Sequence, residues 1–111
     1  MSDLADRNCP ALIWCPFPDR DSAEAVAKTL LDEAYIACAN IVPEIVSLFV
    51  WKDEREEAME AAVLFKTISA LLEAAIERLY VLHPYDEPAI VGWRCDAAAS
   101  PTATWLSGLN R

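Results

Sequence analysis

Apolar positions along the chain follow two periods, and the switches between them mark out the elements. Ala11-Leu12-Ile13-Trp14-Cys15 is an unbroken apolar run stopped by Pro16 and Pro18, the pattern of a buried strand with a sharp end. Behind an N-cap at Asp19 or Asp21, residues Ala23, Val26, Ala27, Leu30, Leu31 and Ala34 recur at the spacing of an amphipathic helix. From Ile36 to Trp51 the chain turns β-branched and aromatic, and Pro43, beside Glu44, withholds a backbone donor inside that stretch. The pattern predicts one long strand with a bulge or bend. The charged block Lys52-Asp53-Glu54-Arg55-Glu56-Glu57 reads as a solvated hairpin tip, followed by a third strand over Ala58–Thr67. Leu72, Ala75, Ile76 and Leu79 restore the helical period between Ser69 and Leu82. Ala89–Arg94 then supplies a fourth strand, and Ser100-Pro101 opens a short C-terminal helix with Pro at its first position.

The order strand, helix, strand, strand, helix, strand is that of an α+β, ferredoxin-like split βαβ sandwich, an antiparallel sheet with both helices on one face. The second strand is too apolar for that arrangement alone. Ile45, Phe49 and Trp51 lie on one of its alternating faces and Val46, Leu48 and Val50 on the other, with Ser47 the polar exception. Its own helices can cover one face, so the other calls for a further subunit. Composition agrees: 55% of the 111 residues are hydrophobic, above the roughly 45–50% of soluble domains. No apolar run approaches the ~20 residues of a membrane span, so the excess is assigned to a subunit interface. The chain reads as one domain over residues 1–111, with residues 1–9 as a flexible N-terminal tail and no repeat or linker.

Charge and motif content exclude several function classes. Nine basic against eighteen acidic residues give a net charge of −9, which repels nucleic acid and an anionic membrane surface. Met1–Pro10 lacks the basic and apolar regions of a signal peptide, so a cytoplasmic location is expected. There Cys9, Cys15, Cys38 and Cys95 stay thiols; none forms a Cys-x-x-Cys pair or a zinc-finger spacing. Gly92 and Gly108 are the only glycines, too few for a Gly-rich phosphate cradle. A Cys15–His83 nucleophile pair lacks a local signature, and Tyr85 and Asp86 read as turn formers, so no catalytic residue is assigned and no enzyme is expected.

The one histidine sits in His83-Pro84-Tyr85-Asp86-Glu87-Pro88. Each proline forces its predecessor, His83 or Glu87, out of the helical region, which makes the hexapeptide a stiff, extended connection. His83 there has two roles open to it. It can end the preceding helix, where a cationic ring favours the negative end of the dipole. Alternatively it can pair with Cys15, at the end of the first strand, as a soft-metal ligand, since thiolate and imidazole suit copper(I) and zinc.

Ala37-Cys38-Ala39-Asn40-Ile41-Val42-Pro43, Ser47-Leu48-Phe49-Val50-Trp51, Phe65-Lys66-Thr67 and the His83–Pro88 hexapeptide follow one another in the order and spacing of the CutA divalent-ion tolerance family, which the chain resembles from about Leu12 to Leu106. The resemblance implies a ferredoxin-like protomer in a homotrimer whose long hairpins join sheets between subunits, an architecture similar to the PII signalling proteins. It implies a role in tolerance or response to divalent metal ions. No cofactor is required, and copper or another soft metal ion is the expected ligand, at Cys15 and His83. A second implied reading is a PII-like sensor or interaction protein that binds a small ligand in intersubunit clefts. Trp51, Lys66, Tyr85 and Arg94 are then the cleft or interface residues. Three positions depart from the family pattern. Asp53 stands where glycine is common at the hairpin tip, and Thr102 replaces an aromatic residue before the C-terminal tryptophan. Ala89 replaces an acidic residue after the second proline of the hexapeptide, which removes a potential carboxylate ligand.

Overall fold

The protein is described by a computed structural model over residues 7–109. Strand β1 spans Pro10–Phe17, helix α1 Arg20–Asp32, β2 Cys38–Trp51, β3 Glu54–Ile68, α2 Ser69–Leu82, β4 Val91–Arg94 and α3 Ser100–Ser107. The sheet order is β2-β3-β1-β4 with every pairing antiparallel, which is the ferredoxin-like arrangement expected from the element order. Of the tail expected over residues 1–9, residues 1–6 lie outside those described, and the Cys9 carbonyl accepts the Ser69 N–H at 2.8 Å.

Local chemistry explains the element ends. Asp19 caps α1 by accepting the Ser22 N–H at 2.8 Å. At the other end the Tyr35 N–H reaches Leu30 O and the Ala34 N–H reaches Leu31 O, both at 3.0 Å, with Ala34 at φ 61°. That is a Schellman cap with alanine in the left-handed position usually held by glycine. Helix α2 stops at His83, which takes φ −67° and ψ 140° as a residue before proline must.

The core lies between the sheet and the α1 and α2 helices. In β1 the residues Ala11, Ile13, Cys15 and Phe17 are buried on the helix side. Ile13, Cys15 and Phe17 stand opposite Phe65, Val63 and Ala61 of β3. Val26, Ala27 and Leu30 of α1 and Ala75 and Leu79 of α2 close over them. Gly92 is where α2 presses on β4. A Cβ there would lie 2.9 Å from the Ile76 and Leu72 methyls and 3.2 Å from the Leu12 carbonyl.

The bulge expected at Pro43 is present and changes which residues face where. Val42 pairs with Ala62 but Ile45 pairs with Glu60, so Pro43 and Glu44 together oppose Ala61. The extra residue reverses the alternation. Ala39 and Ile41 share the side of α1 and α2 with Phe65 and Val63, whereas beyond the bulge Ile45, Ser47, Phe49 and Trp51 share the opposite side with Glu60, Ala58, Glu56 and Glu54. The charged tip is shorter than expected. Lys52 and Asp53 alone form the turn, at φ 51° and 66°, while Glu54–Glu57 belong to β3 and pair with Trp51–Leu48. A two-residue turn with both φ values positive matches the twist of the strands, and the β2 ladder holds the charged residues extended while their side chains stay in water. The hairpin overhangs the two-layer body, giving extents of 46 × 27 × 24 Å. Along it Leu48 is 69% and Val50 71% exposed.

Candidate functional site

The hexapeptide after α2 folds back onto the end of β1. The His83 ring is 6% exposed and stacks on Phe17, with centroids 4.4 Å apart and planes 21° from parallel. Its Nδ1 accepts the Tyr85 N–H at 3.0 Å, so that nitrogen carries no proton. The hydrogen-bond pattern therefore assigns the proton to Nε2, which donates to the Pro16 carbonyl at 2.8 Å. Burial pulls the imidazole pKa below 6.5 and outweighs the opposing pull of the Pro16 carbonyl and the Glu60 charge. His83 is thus a neutral interior anchor, not the cationic helix end that its position suggested.

Cys15 meets the same carbonyl. Its buried thiol donates to Pro16 O at 3.4 Å, and burial, with the Glu60 charge as the smaller cause, pushes its pKa up to about 12. The structure does bring Cys15 and His83 together, but around a backbone oxygen. A metal ion between them would have to displace both hydrogens from Pro16 O. Among the described residues no group of three or more His, Cys, Asp or Glu is placed to hold a metal ion.

Tyr85 extends the anchor outward. Its ring lies 5.0 Å from that of His83, and its hydroxyl donates to Glu60 Oε2 at 2.8 Å. Burial first, then the Glu60 bond and charge, raises the phenol pKa to about 12. The Tyr80 hydroxyl donates to Asp86 O at 3.1 Å and fastens the loop to α2. Tyr85 and Glu60 line a cavity of about 530 Å³. The rest of the lining is the apolar Pro16, Phe49, Val50, Trp51 and Ala89 together with Ser47 and Glu87.

Of the four residues expected in a ligand cleft, Trp51 and Tyr85 line this cavity together. Lys66 stands between Leu12 and Cys38 in the middle of the sheet. Arg94 pairs with Ala11 and lines a separate cavity of about 250 Å³ with Arg7, Ser69 and Glu73 at the start of α2. Glu60, Phe17 and the Pro16 carbonyl escape sequence reasoning. Glu60 is one glutamate among many until the bulge places it opposite Ile45, and no side-chain pattern marks a backbone acceptor.

Compared with known proteins, residues 11–108 match the family model described as CutA1 divalent ion tolerance protein. The chain belongs to that family. A relative from Pyrococcus horikoshii, named divalent-cation tolerance protein CutA, is 41% identical over 95 residues, covering 86% of this chain and 92% of that protein. The fold is shared with the crystal structure of divalent ion tolerance protein CutA1 from Ehrlichia chaffeensis at TM-score 0.86 and 31% identity, over 93% of this chain and 96% of that one. A CutA from Archaeoglobus fulgidus, described as periplasmic, matches at TM-score 0.85 and 27% identity over 92% and 99% of the two chains. The chain spans about half the length of several longer curated CutA relatives. No helix among its described residues is long and apolar enough to cross a membrane.

Proposed function

We propose that this CutA protein serves divalent-metal tolerance in the cytoplasm as a non-enzymatic homotrimer, with the cavity beside Tyr85 becoming an intersubunit cleft for a small ligand. The apolar overhang of the β2–β3 hairpin carries the reading. Val46, Leu48, Val50 and Met59 are all more than half exposed along it, and Phe49, Val50 and Trp51 line the cavity. A soluble monomer rarely presents so much contiguous apolar surface beside an unpaired strand edge. A neighbouring copy would cover it and close the cavity, bringing Lys66 or Arg94 of another subunit to the Trp51–Tyr85 wall. Light scattering of the metal-free protein tests the assembly, and a monomer at micromolar concentration refutes it. A thermal-shift panel of divalent ions and anionic metabolites tests the cleft; a ligand that stabilises the wild type and a Trp51→Ala variant equally argues against it.

The convergence of Cys15 and His83 on one carbonyl supports a second reading, a copper or other soft-metal site at that pair. It requires the thiol to lose its proton and the ring to release Pro16 O. Equal copper affinity in wild type and a Cys15→Ser variant refutes it.

A further inference from the structure

Two carboxylates line the cavity beside Tyr85, and among the described residues no cation pairs with either. Glu60 and Glu87 share that lining with Phe49, Trp51 and Tyr85, and no Lys or Arg belongs to it. The salt bridges among the described residues join Arg20 and Lys28 to Glu24 and Arg78 to Glu33, which leaves both cavity carboxylates without a counter-ion. Glu60 is partly buried and held in place, its Oε2 accepting the Tyr85 hydroxyl at 2.8 Å. Glu87 is exposed. The aromatic side of the cavity has cation contact already. The Lys52 ammonium lies 5.9 Å from the centre of the Trp51 ring, within cation–π range. Trp51 is still 49% exposed, so ring surface is open to a second cation.

We propose that this cavity binds an organic ammonium ion with an apolar body, its charged head at the carboxylates of Glu60 and Glu87 and its body against Phe49 and Trp51. The proposal rests on the reading of the cavity as a ligand cleft and specifies the charge and chemical class of the ligand. Closure by a neighbouring copy strengthens the requirement. A carboxylate taken out of water beside apolar surface has to be paired or neutralised. An ammonium head donates N–H bonds to carboxylates while its chain covers the apolar lining. The volume of about 530 Å³ is that of a small-molecule site, and its apolar lining gives a bare inorganic ion few ligands. An anion of the same shape would meet both carboxylates and a chain of net charge −9. Lys66 and Arg94, which would favour an anion, do not line the cavity in the protomer.

The test is isothermal titration calorimetry of the full chain, near neutral pH and at low salt, with n-hexylammonium, hexanoate and methylammonium as probes. Light scattering follows the same samples. Hexylammonium should bind. Hexanoate has the body with the opposite charge and methylammonium has the charge without the body, so each should bind about tenfold more weakly or less. Glu60→Gln keeps an acceptor for the Tyr85 hydroxyl and should weaken hexylammonium about tenfold, and the exposed Glu87→Gln about threefold. Lys52→Asn suits the left-handed turn at φ 51°. It should tighten hexylammonium, because it frees the Trp51 ring and removes a like charge. Absence of hexylammonium binding overturns the proposal, as does unchanged affinity in both glutamine variants or weaker affinity in Lys52→Asn. Hexanoate binding as tightly as hexylammonium, the result of Lys66 or Arg94 of another subunit neutralising the carboxylates, overturns it as well. A trimer that fails these comparisons leaves the assembly standing, whereas a monomer in light scattering refutes the cleft and the proposal together.

Discussion

His83→Phe separates an interior anchor from a metal ligand, because it keeps the ring and removes both nitrogens. The phenyl group can retain the 4.4 Å stack on Phe17, so apolar packing changes little. What disappears is the acceptor for the Tyr85 N–H and the main donor to Pro16 O, leaving only the longer contact from the Cys15 thiol. Leaving a buried donor or acceptor unpaired costs about 1–3 kcal/mol each. The expected loss is thus about 2–4 kcal/mol, and His83→Ala should lose more by adding a cavity under Phe17. Urea unfolding with chelator present, at one fixed protomer concentration, measures it, since assembly couples to apparent stability. The pH dependence supplies an independent arm. The folded-state pKa lies below the 6.5 of the free side chain, so in the window between them the unfolded chain binds more protons. The contribution of His83 is complete above 6.5 and is lost as pH falls toward the folded value, with a slope of at most about 1.4 kcal/mol per pH unit. His83→Phe should lack that part of the slope. A metal-free variant as stable as wild type at pH 8, with an unchanged slope below 6.5, would refute the anchor.

Ala34→Gly should stabilise the protein by about 0.5–1 kcal/mol in the same assay, because glycine relieves the left-handed strain of about 1–2 kcal/mol and returns part of it as unfolded-state entropy. Gly92→Ala should cost about 1–3 kcal/mol, since its Cβ must displace α2 methyls and crowd the Leu12 carbonyl; a neutral result in a thermal melt would show that α2 moves freely on β4. Cys15, buried with a thiol pKa of about 12, should resist alkylation at pH 8 until the chain unfolds, and mass mapping that finds it labelled in the native protein would contradict that burial. Tyr85→Phe should lose about 0.5–1.5 kcal/mol with the Glu60 bond, read by urea midpoint.

Periodicity and punctuation are local, and what they report was legible without coordinates. The two long helices, the four strands in ferredoxin-like order, the proline bulge and the surplus of apolar residues on β2 all follow from neighbours within a few positions. The length of the charged tip is not legible in the sequence, because a partner strand holds Glu54–Glu57 extended against their own preference. Which residues face the cavity was hidden as well. One extra residue at Pro43 reverses the alternation, and the sequence signals a bulge without giving the register on either side of it. Remote pairing decided the rest. His83 meets Pro16 across 67 positions, so its tautomer depends on a backbone carbonyl that no side-chain pattern encodes. The chain's own sequence determined that a histidine would stand rigidly after a helix; only the closed fold decided that it would be neutral, buried and shared with the end of the first strand.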